Sequence, residues 1–158
     1  MGVTTFTEEI SGPIAPARIF KAGILDSHNL LPKLLPDKIK SIEVHGDGGP
    51  GSIEQINLAE GGPFKCIKHR IEELDKENFM CKHTLIEGGV IGDKIIKVVE
   101  TVKFEASPNG SVCKITSEFH TADNSEVKEE EVKIGKDMAI GIAKVVEAYL
   151  LQNPNAYA

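Results

Sequence analysis

The chain reads as an α+β protein, in which a curved antiparallel sheet grips one long carboxy-terminal helix. Three observations predict this. Between residues 39 and 121 strand-like runs recur, separated by Gly, Pro, Asn and Asp. The connections Gly61-Gly62-Pro63, Asp75-Lys76-Glu77, Gly88-Gly89 with Gly92-Asp93, and Pro108-Asn109-Gly110 are too short to hold crossover helices, so neighbouring strands pair antiparallel. After Glu129-Glu130-Glu131, whose charge suits a helix amino terminus, helical periodicity continues to about Gln152 and stops before Asn153-Pro154.

Taken in order, Val3 to Ser11 reads as an opening strand that Pro13 and Pro16 end. Ala17 to Ala22 carries a short helical pattern starting beside a proline, where a first turn tolerates one. Asp26 or Ser27 can cap a second short helix through His28-Asn29-Leu30-Leu31, expected to end near Pro32 or Pro36. Strands are expected at 39 to 45, 52 to 58, 64 to 73, 78 to 87, 94 to 105 and 111 to 120, giving seven with the first. Asn109-Gly110-Ser111 matches a glycosylation sequon but reads more simply as a turn. Between Met138 and Leu151 the strongly polar side chains of the last helix are Lys144 and Glu147, so it is expected to need cover on several sides. Small residues at Ala139 and Ala143, with Gly135 and Gly141 nearby, leave volume, so a sheet closed on this helix is expected to enclose a cavity.

Bulk properties narrow the function. One domain spanning 1–158 is sufficient. A net charge of −6 disfavours nonspecific binding to nucleic acid or to anionic membranes. No apolar run approaches the roughly 20 residues of a membrane span, and Met1 to Phe6 shows no secretory pattern, so a cytoplasmic protein is expected. Cys66, Cys81 and Cys113 lack metal-ligand spacing and read as reduced, buried thiols.

Two features compete for the site. Gly46-Asp47-Gly48-Gly49-Pro50-Gly51 imitates a phosphate loop in composition, but no Gly-Lys-Ser/Thr follows, and Ser52 to Leu58 alternates like a strand. It is therefore expected to be a hairpin tip. The second feature is polar residues on otherwise apolar strand faces: His83 among Phe79, Cys81 and Leu85; Glu100 among Ile96, Val98, Val102 and Phe104; Ser117 among Cys113, Ile115 and Phe119. A carboxylate in a dry core costs several kcal/mol, so Glu100 must meet a partner, water or a ligand. A structural hydrogen bond and a pocket anchor both satisfy that need. His69 and His83 divide in the same way between structural and ligand-binding roles, and three strands in favourable register would be required for them to share a metal with Glu100. No metal and no cofactor is expected.

Several strings resemble the plant class 10 pathogenesis-related proteins, the family of the major birch-pollen allergen. They are Pro16-Ala17-Arg18-Ile19-Phe20-Lys21-Ala22, Leu25-Asp26, Asn29-Leu30-Leu31-Pro32-Lys33, the glycine loop, Ile86-Glu87-Gly88-Gly89, Phe119-His120-Thr121 and Glu147-Ala148-Tyr149-Leu150. The resemblance covers nearly the whole chain. It implies a helix-grip fold, a large cavity for amphipathic plant molecules such as flavonoids, cytokinins, steroids and fatty acids, and a cytosolic, stress-induced protein of a family that includes many allergens.

The residues expected to line that cavity are Leu31, Ile39, Phe64, Cys66, His69, Cys81, His83, Leu85, Val98, Glu100, Val102, Ile115, Ser117, Phe119, Met138, Ala139, Ile142 and Ala143, with the loop Gly46, Asp47, Gly48, Gly49, Pro50 and Gly51 beside it. Family members commonly carry tyrosines where Cys66, Cys81, His83 and Phe119 stand, so ligands should transfer as a class only. The partner implied is a small amphipathic molecule, with no specific nucleic acid and no membrane, bound by a monomer or weak dimer. Two enzyme readings remain as alternatives. Ribonuclease activity in relatives implicates the loop with Glu147 and Tyr149, but here His45 replaces the usual glutamate, and Glu54 and Gln55 stand where a lysine is common. Alkaloid-forming condensation in a relative uses a lysine and carboxylates, which directs attention to Glu100 and Lys136.

Overall fold

The structure, a computed structural model, describes residues 2–62 and 64–158. Strand β1 (Gly2–Gly12) alternates half-buried and exposed residues along its length, as a strand with one covered face must. Helix α1 (Pro16–Phe20) opens on the proline, whose missing N–H would have had no helical partner anyway. A π-helical turn (Lys21–Leu25) leads into α2 (Ser27–Leu34). The stop expected at Pro32 is passed: the proline lies inside α2, and the Leu35 N–H donates to the Leu31 carbonyl at 2.9 Å. One forfeited hydrogen bond is offset by burial of Leu30 and Leu31, so the helix ends ahead of Pro36 instead.

The remaining strands are β2 (Ile39–His45), β3 (Ile53–Leu58), β4 (Cys66–Asp75), β5 (Met80–Glu87), β6 (Ile95–Ser107) and β7 (Gly110–Thr121). They form one antiparallel sheet in the order β1-β7-β6-β5-β4-β3-β2, a meander whose last strand is joined by the first. β4 begins at Cys66, so Phe64, expected in the strand, lies in the connection ahead of it. Phe79, expected in β5, occupies the preceding turn at φ 54°. The Asp75 carboxylate organises that turn by accepting the Glu77 and Asn78 N–H groups, each at 3.1 Å, and the Phe79 ring packs 5.9 Å from that of Phe20.

Ile96 corrects the expected inner face of β6. The β6–β7 register shifts between Ile95 and Lys97, so Ile95 is turned inward at 5% exposure and Ile96 outward at 45%. A bulge inserts one residue and flips the alternation that simple counting assumes.

Helix α3 (Glu129–Gln152) fits the expected span. Its cover is thinner than expected. Val132, Val146 and Leu150 are buried, but Ile134, Met138 and Leu151 remain exposed, because the close neighbours of α3 are the short helices and β1 rather than the whole sheet. At the carboxy-terminal end α1 completes the packing. The Arg18 guanidinium donates to the carbonyls of Leu150 (2.8 Å), Asn153 (2.6 Å) and Ala156 (2.8 Å), satisfying helix-end acceptors that have no helical partner.

The core divides in two. One cluster gathers Phe20, Leu30, Leu31, Ile39, Cys81, Phe104, Cys113, Ile115, Val146 and Leu150 under the short helices. The other gathers Ile95, Val98, Phe119, Val127 and Val132, with Phe6 and Leu85 packed on it, near the start of α3.

Candidate functional site

What separates the clusters is a line of polar side chains. On β5 the residues Leu85, His83 and Cys81 pass from one cluster, through a polar position, into the other. On β6 Val98, Glu100 and Val102 do the same, and on β7 Phe119, Ser117 and Ile115. The pairing register His83↔Glu100 and Glu100↔Ser117 brings the three polar residues side by side. Glu54 on β3 is paired with His69 on β4, which extends the line across five strands.

The line is hydrogen-bonded throughout. His69 Nε2 donates to Glu54 Oε1 at 2.9 Å, His83 Nε2 to Glu100 Oε1 at 3.0 Å, and Ser117 Oγ to Glu100 Oε2 at 3.2 Å. The two imidazoles bridge the halves by stacking, with centroids 4.2 Å apart and planes 27° from parallel. Among the described residues no buried side-chain N or O atom lacks a partner.

Protons are unequally shared between the rings. Burial alone would depress His83, but hydrogen bonds with Cys81 and Glu100 and the Glu100 charge raise it to about 10, so the ring is an imidazolium at neutral pH. His69 moves the other way: burial and the adjacent His83 charge hold it below the ordinary imidazole value despite Glu54. Burial pushes Glu100 up, yet the His83 hydrogen bond and charge and the Ser117 hydroxyl outweigh it and hold the carboxyl low. Glu54 behaves likewise, with the His69 hydrogen bond prevailing over burial. The row is therefore two carboxylates, one cation and one neutral ring.

A cleft of about 180 Å³ opens beside this row, lined by Ile24, Leu25, His28, Val44, Gly46, Asp47, Gly48, Glu54, Ile71, Leu74 and Cys81. Of the residues expected around a cavity, Cys81 and loop positions 46 to 48 reach it. His69, His83, Glu100 and Ser117 form the row, while Leu31, Ile39, Leu85, Val98, Val102, Ile115, Phe119, Ala139 and Ile142 pack in the flanking clusters. Met138, 39% exposed, and half-buried Ala143 belong to neither cluster. Cys66 is a correction. It pairs with Asn57, whose amide bonds Ser41 and Glu43 on the outer face, and its thiol points to Glu87 Oε2 at 3.6 Å, away from the concave side.

Glu54 is the member that sequence reasoning missed. Its signal was present in the alternation Glu54, Ile56, Leu58, whose last two residues pack on the core and so place the first on the same face.

The glycine loop joins β2 to β3 as a hairpin tip, and its amides are already engaged. Gly49 N–H donates to Asp47 Oδ1 at 2.8 Å, Gly48 N–H to Ser52 Oγ at 2.9 Å, and Ser52 Oγ to Asp47 Oδ1 at 3.2 Å. Lys136 pairs with Glu8 at 3.1 Å and Glu129 at 3.7 Å, whereas Glu100 is held by His83 and Ser117. The lysine and carboxylate considered for condensation are thus committed to different partners. Glu147 lies 3.6 Å from Lys144, and Tyr149 packs against the core.

A seven-stranded sheet folded on a long helix, with two short helices after β1, defines the helix-grip class. The chain belongs to the pathogenesis-related protein Bet v 1 family, whose sequence model matches residues 1–153. It is 48% identical over 159 residues to the major strawberry allergen Fra a 1.07 of Fragaria ananassa, covering 99% of both chains. To the pathogenesis-related protein STH-2 of Solanum tuberosum it is 47% identical over 159 residues, covering 100% of both. The crystal structure of Ara h 8.0201 superposes with a TM-score of 0.85 at 35% identity, covering 96% of this chain and 100% of that one. Norcoclaurine synthase from Thalictrum flavum shares the fold alone, at TM-score 0.73 and 23% identity over 96% of this chain and 88% of that one. Among the described residues no helix is long and apolar enough to cross a membrane.

Proposed function

We propose that this protein binds a small amphipathic plant metabolite or hormone, of the flavonoid, cytokinin, steroid or fatty-acid class, on the concave face between sheet and α3. The observation that carries this reading is the polar row lying between two apolar clusters, an arrangement matched to a ligand with apolar ends and a polar middle. Apolar surface supplies affinity through desolvation, and the row orients the polar groups. The 180 Å³ cleft is below the roughly 300–1,000 Å³ of sites for drug-sized ligands, and Ile24, Leu25 and His28 wall it on one side, so a larger ligand has to displace the short helices on entry. A monomer in the cytoplasm, acting in defence or stress responses, accords with this role.

Displacement of a fluorescent apolar probe tests it. Flavonoid-like or cytokinin-like competitors should displace the probe without turnover, and Glu100→Gln should weaken those with a polar centre more than a plain fatty acid. Failure of every class to compete would refute the reading.

A further inference from the structure

Charge is balanced at one end of the polar row and not at the other. Glu100 meets the His83 imidazolium at 3.0 Å, whereas Glu54 accepts from His69, whose ring is neutral. Glu54 therefore carries the uncompensated charge of the row. Burial pushes its carboxyl up, yet the His69 hydrogen bond prevails and keeps it ionised, with the side chain only 17% exposed. An ionised carboxylate so far withdrawn from water is costly unless a cation meets it.

The geometry leaves room for that cation. His69 engages Oε1, and among the described residues Oε2 has no hydrogen-bond partner. Because no buried side-chain oxygen among them lacks a partner, Oε2 is accessible, and Glu54 lines the 180 Å³ cleft. The rest of the wall divides by chemistry: Ile24, Leu25, Val44, Ile71 and Leu74 are apolar, and Asp47 adds a second carboxylate. No lysine or arginine lines it, and His28 is its only basic side chain. Glu54 stands at the start of β3, next to the loop that carries Asp47, so the two negative charges share the hairpin end of the cleft.

We propose that the cleft takes the ammonium end of a small amphipathic amine, with Glu54 Oε2 as its anchor and the apolar wall around its hydrocarbon body. The inference rests on the binding reading and deepens it, since it assigns the charge of the ligand's polar end. A carboxylate head meets like charge here and is disfavoured. A neutral hydroxyl can donate one hydrogen bond but leaves the Glu54 charge unmatched. Charge-assisted hydrogen bonds are roughly twice as strong as neutral ones, and after screening at a partly open cleft a preference of about tenfold for ammonium over hydroxyl is expected.

Hexylamine, hexanol and hexanoate share one hydrocarbon chain and differ in charge, and an alkylamine is protonated at pH 7 as lysine is. Each is titrated, at fixed ionic strength, against the folded protein loaded with neutral N-phenyl-naphthylamine. Hexylamine is expected to displace this probe at about one-tenth of the concentration that hexanol needs, with hexanoate the weakest. Glu54→Gln keeps an oxygen for His69 and should raise the hexylamine requirement about tenfold while hexanol is unchanged. Glu43→Gln removes an equal charge from the outer face, where Glu43 holds the Asn57 amide, and should alter neither. Circular dichroism confirms that each variant is folded, and the order of the three ligands on the unsubstituted protein is a test independent of any variant. Equal displacement by all three, a preference for hexanoate, or an equal loss in both variants overturns the inference. If flavonoid-like competitors displace the probe while the hexyl series shows no preference for the amine, binding stands and the cationic anchor falls. If nothing displaces it, both fall.

Discussion

Replacing Glu100 by Gln removes one negative charge while keeping the side chain's shape, and so tests the electrostatics of the row directly. The carboxylate accepts from His83 Nε2 at 3.0 Å and from Ser117 Oγ at 3.2 Å, and the amide oxygen of Gln can keep one of these. A hydrogen bond to a charged group contributes about 1.5–3 kcal/mol, and the Glu100 side chain is 34% exposed, which places the loss near the lower part of that range. A destabilisation of about 2 kcal/mol at pH 7 is expected, or roughly 6 °C in Tm for a chain of this length. The pH dependence supplies the sharper check. His83 is raised in the folded state to about 10, so its contribution is complete below the unfolded value near 6.5 and is lost as pH rises through 10. The wild-type protein should therefore weaken from pH 7 to pH 10, while Glu100→Gln changes less and the gap between them narrows. Urea unfolding followed by circular dichroism at several pH values measures both quantities, and NMR of the His83 ring reports its protonation. Equal stability at pH 7, or a gap that stays constant to pH 10, would refute the assignment of an imidazolium–carboxylate pair.

Arg18→Ala removes three hydrogen bonds to the end of α3 and its tail, and should cost about 2–3 kcal/mol, with hydrogen exchange accelerated mainly at residues 149 to 157. Uniform exchange along the chain would argue against a local clamp. The bulge in β6 predicts opposite outcomes for neighbouring isoleucines: Ile95→Ala should lose about 2–5 kcal/mol and Ile96→Ala under about 0.5, as read from thermal unfolding. Equal losses would mean that the strand keeps simple alternation through this point.

Most of the architecture was legible because it rests on local rules. Short Gly, Pro and Asn connections dictated antiparallel pairing, and Glu129-Glu130-Glu131 marked the start of α3 within its first turn. Glu100, His83, His69 and Ser117 stood out because polar residues interrupted apolar faces, and the registers place them in one row. What escaped depended on partners distant in sequence. The bulge at Ile96 arises from pairing with β7, whereas Cys66 lies three residues from the inward His69 and so on the opposite face of β4, as alternation alone requires. Pro32 was passed because packing of Leu30 and Leu31 outweighs one missing donor. Glu54 was legible, since it shares the alternation of Ile56 and Leu58, which pack on the core.

Asp47 gives the glycine loop a property that its composition conceals. A carboxylate two residues from the amide it accepts competes with any dissolved anion at the effective concentration of a short tether, which is millimolar or higher. The loop thus carries its own occupant. Free phosphate would have to expel that tethered group and also endure its charge, so the chain's similarity to a nucleotide loop ends in self-inhibition.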